Sequence, residues 1–207
     1  MRPDLLLFCL AAGALIVTPG PNFIYVLTRG TTQGRRAGLL AALGLGAGVM
    51  LHTMLAVIGI SALIHSSYVV FQIIRFAGSL YLIYLGVTAL RRSESPRREL
   101  LDGPASGWRI VWQSVIASMT NPKTILFFLS FLPQFVDNQS SHVTRQLLLL
   151  GGIYMLLTVM VYGLVAYSSG HIGHWMRTRA AVASRLRWMT GASFIGLGVW
   201  AALPDRR

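Results

Sequence analysis

Residues 5–28 read LLLFCLAAGALIVTPGPNFIYVLT, an apolar run with the motif Thr18-Pro19-Gly20-Pro21-Asn22 inside it. A helix needs about 20 apolar residues to cross a hydrocarbon core of about 30 Å. Proline removes a backbone donor from a helix interior, and glycine adds backbone freedom. No small-residue cleavage motif follows the run, so it is not a signal peptide. The stretch therefore predicts a retained transmembrane helix that is broken at this motif, close to mid-membrane.

The composition extends this interpretation to the whole chain, with 54% hydrophobic and only 12% charged residues. Soluble domains carry roughly 25% charged residues, about twice as many. Six apolar runs account for most of the 207 residues, so we predict an all-α integral membrane protein whose partner is the lipid bilayer. It forms one domain, residues 1–207, with transmembrane helices at about 5–28, 38–64, 68–90, 110–135, 146–169 and 187–203.

The basic residues predict the orientation of these helices. The net charge is +12, but the arginines lie between the apolar runs instead of forming a patch, which excludes a nucleic-acid partner. With the N-terminus placed outside, the three inner loops hold three, five and four arginines, whereas the outer segments together hold four. Cytoplasmic loops are enriched in Lys and Arg. Both termini are therefore predicted to lie outside the cytoplasm.

The longest connection, residues 91–109, is predicted to be a cytoplasmic linker between two repeats, about 1–90 and 110–207. Residues 75–82 and 85–87 resemble residues 187–194 and 197–199 when one gap is allowed. Three helices per repeat give the second repeat the opposite orientation. Inverted repeats of this kind recur in secondary transporters. Chance similarity between glycine-rich apolar helices is the alternative explanation.

A second break motif, Thr120-Asn121-Pro122-Lys123, occupies the corresponding helix of the second repeat. Paired helix breaks are the best sequence indication of a transporter's binding site. The half-helix after each break offers free N–H groups to a carboxylate, and the half-helix before it offers carbonyls to an ammonium group. A zwitterionic amino acid carries both groups. The predicted substrate-binding residues are Pro19, Gly20, Pro21, Asn22, Asn121, Pro122 and Lys123. Two structural proline kinks are the alternative.

Lys123 is the only lysine of the chain and lies within a predicted helix. An intramembrane cation is costly and indicates function, although a long lysine side chain can also extend towards the membrane surface. No Asp or Glu falls inside a predicted helix. That absence argues against a paired-carboxylate enzyme and favours a neutral over a cationic substrate. We expect no metal and no cofactor.

Gly44, Gly48 and His52 recur every four residues in the second helix. The two glycines form a stripe that allows another helix to approach and brings it to the imidazole. The stripe fits packing within one chain or between two copies in a homodimer. His52 is a candidate for proton coupling because imidazole takes up and releases a proton near neutral pH. The alternative is a neutral histidine that hydrogen-bonds across helices.

These motifs occur in order with Gly34-Arg35-Arg36-Ala37-Gly38, residues 78–86 (GSLYLIYLG) and Leu132-Pro133-Gln134-Phe135. The ordered set resembles the lysine-exporter superfamily, in particular its homoserine/threonine-exporter (RhtB-type) branch of bacterial inner-membrane proteins. The resemblance implies secondary active export of amino acids or related metabolites, driven by the proton gradient. Some members carry an acidic residue in the fifth helix, where this chain has residues 156–159 (LLTV). The alternatives are a transporter of an inorganic ion or of another metabolite, a membrane enzyme and a structural subunit.

Overall fold

The computed structural model describes residues 5–66, 106–137 and 140–171, with separate positions between 76 and 91 and between 188 and 199. Helices are the regular secondary structure of this described part. They are α1 (Leu5–Val17), α2 (Pro21–Thr32), α3 (Arg35–Ser66), α4 (Gly107–Met119), α5 (Pro122–Leu126) and α6 (Val143–Tyr167). A π-helical turn (Phe127–Phe131) and a 3₁₀ turn (Leu132–Phe135) extend α5.

Two of the predicted transmembrane helices are broken, as the proline motifs indicate. The axes of α1 and α2 differ by 55°, and those of α4 and the segment from Pro122 to Phe135 differ by 51°. Each second half begins with a proline, whose missing N–H would have no partner in the first turn of a helix anyway. Local proline chemistry therefore sets where both helices break.

α3 and α6 are unbroken and apolar enough to cross a membrane, and each bent pair gives one further candidate span. Predicted helices 38–64 and 146–169 correspond to α3 and α6. The first predicted helix, about 5–28, corresponds to α1 and α2, and α2 continues four residues further to Thr32. Helices 68–90 and 187–203 and linker 91–109 lie largely outside the described residues, although the described positions at 76–91 and 188–199 are helical.

α3 is the centre of the described bundle and packs against α2, α4 and α6. Two of its glycines, Gly44 and Gly48, face α4 and allow the two backbones to approach. A Cβ at Gly44 would lie 2.5 Å from the Val111 carbonyl oxygen, and one at Gly48 would lie 2.5 Å from the Ser118 Cβ. The predicted glycine stripe therefore packs within one chain, and a homodimer would need another surface.

Several arginines gather at one end of the bundle, where α2 and α6 end and α3 and α4 begin. The Arg35 guanidinium lies 4.0 Å from the centre of the Tyr167 ring. The turn between α2 and α3 contains Gly34, whose φ of +88° favours glycine. We call this end the basic end; it is marked by Arg29, Arg35, Arg36 and Arg109.

The described residues of the third and sixth predicted helices contact each other reciprocally. A Cβ at Gly86 would lie 2.7 Å from Ile195 Cγ1 and 2.8 Å from the Gly191 carbonyl oxygen. A Cβ at Gly198 would lie 2.7 Å from Ile83 Cγ1, and 2.8 Å from the carbonyl oxygen of Ser79. Earlier positions of one segment meet later positions of the other, so the two segments run antiparallel.

Candidate substrate site at the two helix breaks

The first break exposes backbone groups between α1 and α2. α1 ends at Val17, and the Thr18 hydroxyl donates a hydrogen bond of 2.6 Å back to the Ala14 carbonyl. Gly20 is fully extended, with φ −158° and ψ −172°, before Pro21 begins α2. The chain therefore leaves its helical path over three residues. The carbonyl of Thr18 lies in this interruption and points to a partner outside its own helix.

The second break is closed locally by an asparagine. The Asn121 Oδ1 accepts a hydrogen bond of 3.0 Å from the Lys123 backbone N–H, an N-cap for the helix that starts at Pro122. Asn121 is buried, so this cap satisfies a donor that water would not reach. The asparagine of the second motif therefore has a structural role in addition to its predicted place in the site.

Lys123 connects the two breaks. Its Nζ donates a hydrogen bond of 2.7 Å to the Thr18 carbonyl oxygen, and its chain lies against Gly20. Lys123 is only 5% exposed, so the alternative in which it extends to the membrane surface is wrong. The structure thus brings Gly20 to the second break with Asn121 and Lys123, which lies about 100 positions later in the sequence.

His52 reaches the same region from α3. Its Nε2 lies 3.1 Å from the Ser118 carbonyl oxygen, a contact in which the ring N–H donates. Ser118 belongs to the last turn of α4, directly before the second break. One face of the imidazole is stacked on the ring of Phe128, with 5.4 Å between the ring centres. The histidine therefore hydrogen-bonds across helices and lies beside the break, with its Nδ1 left for a second partner.

Two buried polar groups beside the breaks have no hydrogen-bond partner among the described residues. They are Oδ1 of Asn22, in the first turn of α2, and Oγ of Ser118. Asn22 is 4% exposed, and Ser118 is fully buried. Leaving a buried polar group unpaired costs about 1–3 kcal/mol. Asn22 therefore offers an acceptor beside the first break, whereas the Ser118 side chain lies against Gly48 of α3.

An aromatic cluster lies next to these polar groups. Phe127 and Phe128 follow the second break and contact Tyr154 of α6, at 4.4 Å and 5.7 Å between ring centres. Phe8 of α1 contacts Phe127 at 5.9 Å, so the cluster also borders the first broken helix. The region around the breaks thus combines backbone polar groups and one cation with an apolar wall.

A second buried cation is Arg29, which the hydropathy pattern placed in the loop after the first predicted helix. Arg29 lies in the last turn of α2 and is 2% exposed. Its side chain donates to Gln113 Oε1 at 2.6 Å, to Gln33 Oε1 at 3.0 Å and to the Tyr25 hydroxyl at 3.3 Å. The spacing of Tyr25, Arg29 and Gln33 at intervals of four was the signal, since it places all three on one face of a longer helix.

The family model described as LysE type translocator matches residues 13–204 of the chain. A leucine efflux protein of Enterobacter sp. (strain 638) is 31% identical over 190 residues, which are 91% of this chain and 90% of the relative. A leucine efflux protein of Salmonella typhimurium is 30% identical over 183 residues, or 88% and 86% of the two chains. No solved structure matches.

The similarity also extends beyond these enterobacteria. The uncharacterized membrane protein YrhP of Bacillus subtilis is 27% identical over 209 residues, covering 97% of this chain and 99% of the relative. The match therefore covers nearly the full length of both chains.

Proposed function

Because the chain belongs to the LysE type translocator family, we propose that it is a secondary active exporter of amino acids, chiefly neutral ones, in the bacterial cytoplasmic membrane. Relatives named leucine efflux proteins support an amino-acid substrate. The observation that carries the proposal is the hydrogen bond from Lys123 Nζ to the Thr18 carbonyl, which joins the two helix breaks at 2.7 Å.

The contacts of Lys123 suggest how a zwitterion is recognised. The Thr18 carbonyl oxygen accepts a hydrogen bond from the ammonium group of Lys123, so the same oxygen can accept one from the ammonium group of an amino acid. Asn22 Oδ1 adds a second acceptor without a partner among the described residues. When the substrate ammonium takes the place of Lys123 at Thr18, the released lysine pairs with the substrate carboxylate. Binding thus replaces the hydrogen bond between Lys123 and Thr18 by several charge-assisted ones.

The preference for a neutral side chain follows from the surroundings of the breaks. Phe127, Phe128 and Tyr154 offer an apolar surface. A cationic side chain would need an anion to offset its desolvation, and no Asp or Glu occurs in the predicted transmembrane helices. An aliphatic side chain such as that of leucine fits these surroundings best.

We assign proton coupling to His52, whose imidazole contacts the last turn of α4 directly before the second break. Its Nε2–H donates to the carbonyl of Ser118, three residues before Asn121. Uptake of a proton at Nδ1 adds a positive charge beside the end of α4, where it favours release of an ammonium group and binding of a carboxylate. This change in charge links the proton gradient to the affinity of the site.

We further infer that the chain consists of two inverted repeats with both termini outside. The reciprocal contacts of Gly86 and Gly198, made with Ile195 and Ile83, support a two-fold axis between antiparallel segments. α3 and α6 show the same kind of reciprocal contact, because Gly46 of α3 lies against Val159 and Gly151 of α6 lies against Thr53. The basic end corresponds to the cytoplasmic side by the positive-inside rule.

The test of this function is efflux from bacteria that lack their own amino-acid exporters. The cells are fed dipeptides to raise internal amino acids, and the medium is profiled by mass spectrometry. We expect leucine or other neutral amino acids to appear faster with this protein than with Pro21→Ala or Lys123→Ala, which abolish flux. Gly13→Ala is the matched control in the first broken helix, because nothing lies within 4 Å of its Cβ position.

Size-exclusion chromatography in detergent verifies that each variant is inserted and folded. Normal flux in both site variants would contradict the assignment of the binding residues. If no amino acid is exported faster by the wild-type protein across the whole panel, the amino-acid function itself is wrong, and inorganic ions and other metabolites become the candidates.

A further inference from the structure

Arg29 is a buried guanidinium whose hydrogen-bond partners in the described part of the chain are neutral groups. Its three hydrogen bonds go to Tyr25, Gln33 and Gln113, and its carbon lies 5.3 Å from the centre of the Tyr25 ring. Within the described part of the chain, none of its partners is a carboxylate. A buried cation without an anion is expensive to maintain, and inside a membrane protein it indicates a function with an anionic partner.

The surroundings of Arg29 connect it to the helix breaks. On α2, Asn22, Tyr25 and Arg29 are spaced by three and four residues and lie on one face. Across from them on α4, the Ser114 hydroxyl lies 3.5 Å from the Tyr25 hydroxyl. Ser118 follows one turn later and lies beside His52. Polar side chains of α2 and α4 therefore meet at Arg29 and Gln113 and again at Tyr25 and Ser114, and Asn22 continues the same face of α2 to the first break.

The distances suit successive contacts with one small solute. Seven residues separate Arg29 from Asn22, which is about 10 Å along a helix at 1.5 Å per residue. Arg29 and Lys123 are thus two buried cations near opposite ends of the same polar path. A carboxylate that enters from the basic end reaches Arg29 first and Lys123 afterwards.

We propose that Arg29 is a carboxylate-binding residue on the access path from the basic end, which receives the substrate's carboxylate before Lys123 does. The inference rests on the proposed function. Without substrate, Gln113 takes the place of the carboxylate, and its hydrogen bond of 2.6 Å to Nη2 holds α2 and α4 together. When substrate arrives, its carboxylate displaces the neutral amide, because a charged acceptor binds guanidinium more strongly and in a bidentate geometry.

The test compares leucine with leucinamide, which has the same side chain and amine but no carboxylate. Uptake into inside-out membrane vesicles measures export, giving the KM for leucine and the inhibition constant for leucinamide. For Arg29→Gln we expect the leucine KM to rise about tenfold or more. The inhibition constant for leucinamide should change by less than about twofold, because it lacks the group that Arg29 binds.

A second variant leaves Arg29 and its contact with α4 in place. Gln113→Glu places a carboxylate beside Nη2, so Arg29 is occupied permanently and the leucine KM should rise as in Arg29→Gln. Arg36→Gln is the matched control, because this substitution removes the same charge from the same end at an exposed position. We expect Arg36→Gln to leave both constants at the wild-type values.

The outcomes separate the two proposals. A selective loss of leucine affinity in both variants supports the role of Arg29. If the constants for leucine and leucinamide rise together, or if neither changes, Arg29 only joins α2 to α4 and the inference is wrong, while the exporter function stands. If wild-type vesicles take up no leucine and no other neutral amino acid, the proposed function fails and the inference fails with it.

Discussion

The contact between α3 and α4 at Gly48 is the best place to test whether close helix packing supports the site. Gly48 faces Ser118, whose carbonyl accepts the hydrogen bond from His52. In Gly48→Ala, the new Cβ would lie 2.5 Å from the Ser118 Cβ and 2.8 Å from its Oγ. Carbon atoms pack best at about 3.5–4.0 Å. The two helices therefore have to separate by roughly 1 Å, which also displaces the carbonyl from His52.

The magnitude follows from two opposing contributions to the free energy of unfolding. Overpacking of a close contact costs about 1–3 kcal/mol, and alanine gains up to about 1 kcal/mol over glycine in a helix. The expected net loss is up to about 2 kcal/mol. For a chain of this size it corresponds to a fall in Tm of up to about 8 °C. Export of leucine should fall as well, because the end of α4 has moved.

The assay is thermal unfolding of the purified protein in lipid nanodiscs. Gly59→Ala is the matched control, because this glycine lies in the same helix and its Cβ position has nothing within 4 Å. We expect its Tm to be unchanged or slightly raised. Combining Gly48→Ala with Ser118→Gly removes the clash, so the double variant should be more stable than the sum of the two single changes by about 1 kcal/mol.

A Gly48→Ala variant as stable as Gly59→Ala would contradict the close contact at Gly48. So would effects of Gly48→Ala and Ser118→Gly that add without any coupling. Either result would mean that α3 and α4 are not in close contact at this position when the protein is in a bilayer.

Two further predictions concern proton coupling and the repeat. His52→Gln keeps a donor for the Ser118 carbonyl but cannot titrate, so leucine transport should lose its dependence on pH between about 5 and 8. A pH profile like that of the wild type would contradict the proton role. Gly86→Ala and Gly198→Ala should lower Tm by equal amounts, since their contacts are equivalent, whereas Gly196→Ala, with nothing within 4 Å of its Cβ position, should leave Tm unchanged. Unequal losses at Gly86 and Gly198 would contradict the two-fold axis.

Much of the architecture was predictable because its causes are local in the chain. The break at Pro21 and the break at Pro122 follow from the missing backbone donor of proline, wherever the helix lies. The length of α3 follows from the length of its apolar run. The small residues Gly44 and Gly48 indicated a close helix contact, although the sequence did not reveal that α4 of the same chain is the partner.

The partners across the bundle were decided by tertiary structure alone. Lys123 binds the carbonyl of Thr18, 105 residues away, and the sequence offered two directions for its flexible side chain. Arg29 followed the apolar run and was therefore assigned to a loop, whereas α2 continues and buries it against Gln113. Hydropathy and proline chemistry act along the chain, so they set helices and breaks. Hydrogen bonds of buried polar groups depend on which helices meet, and only the packed bundle determines that.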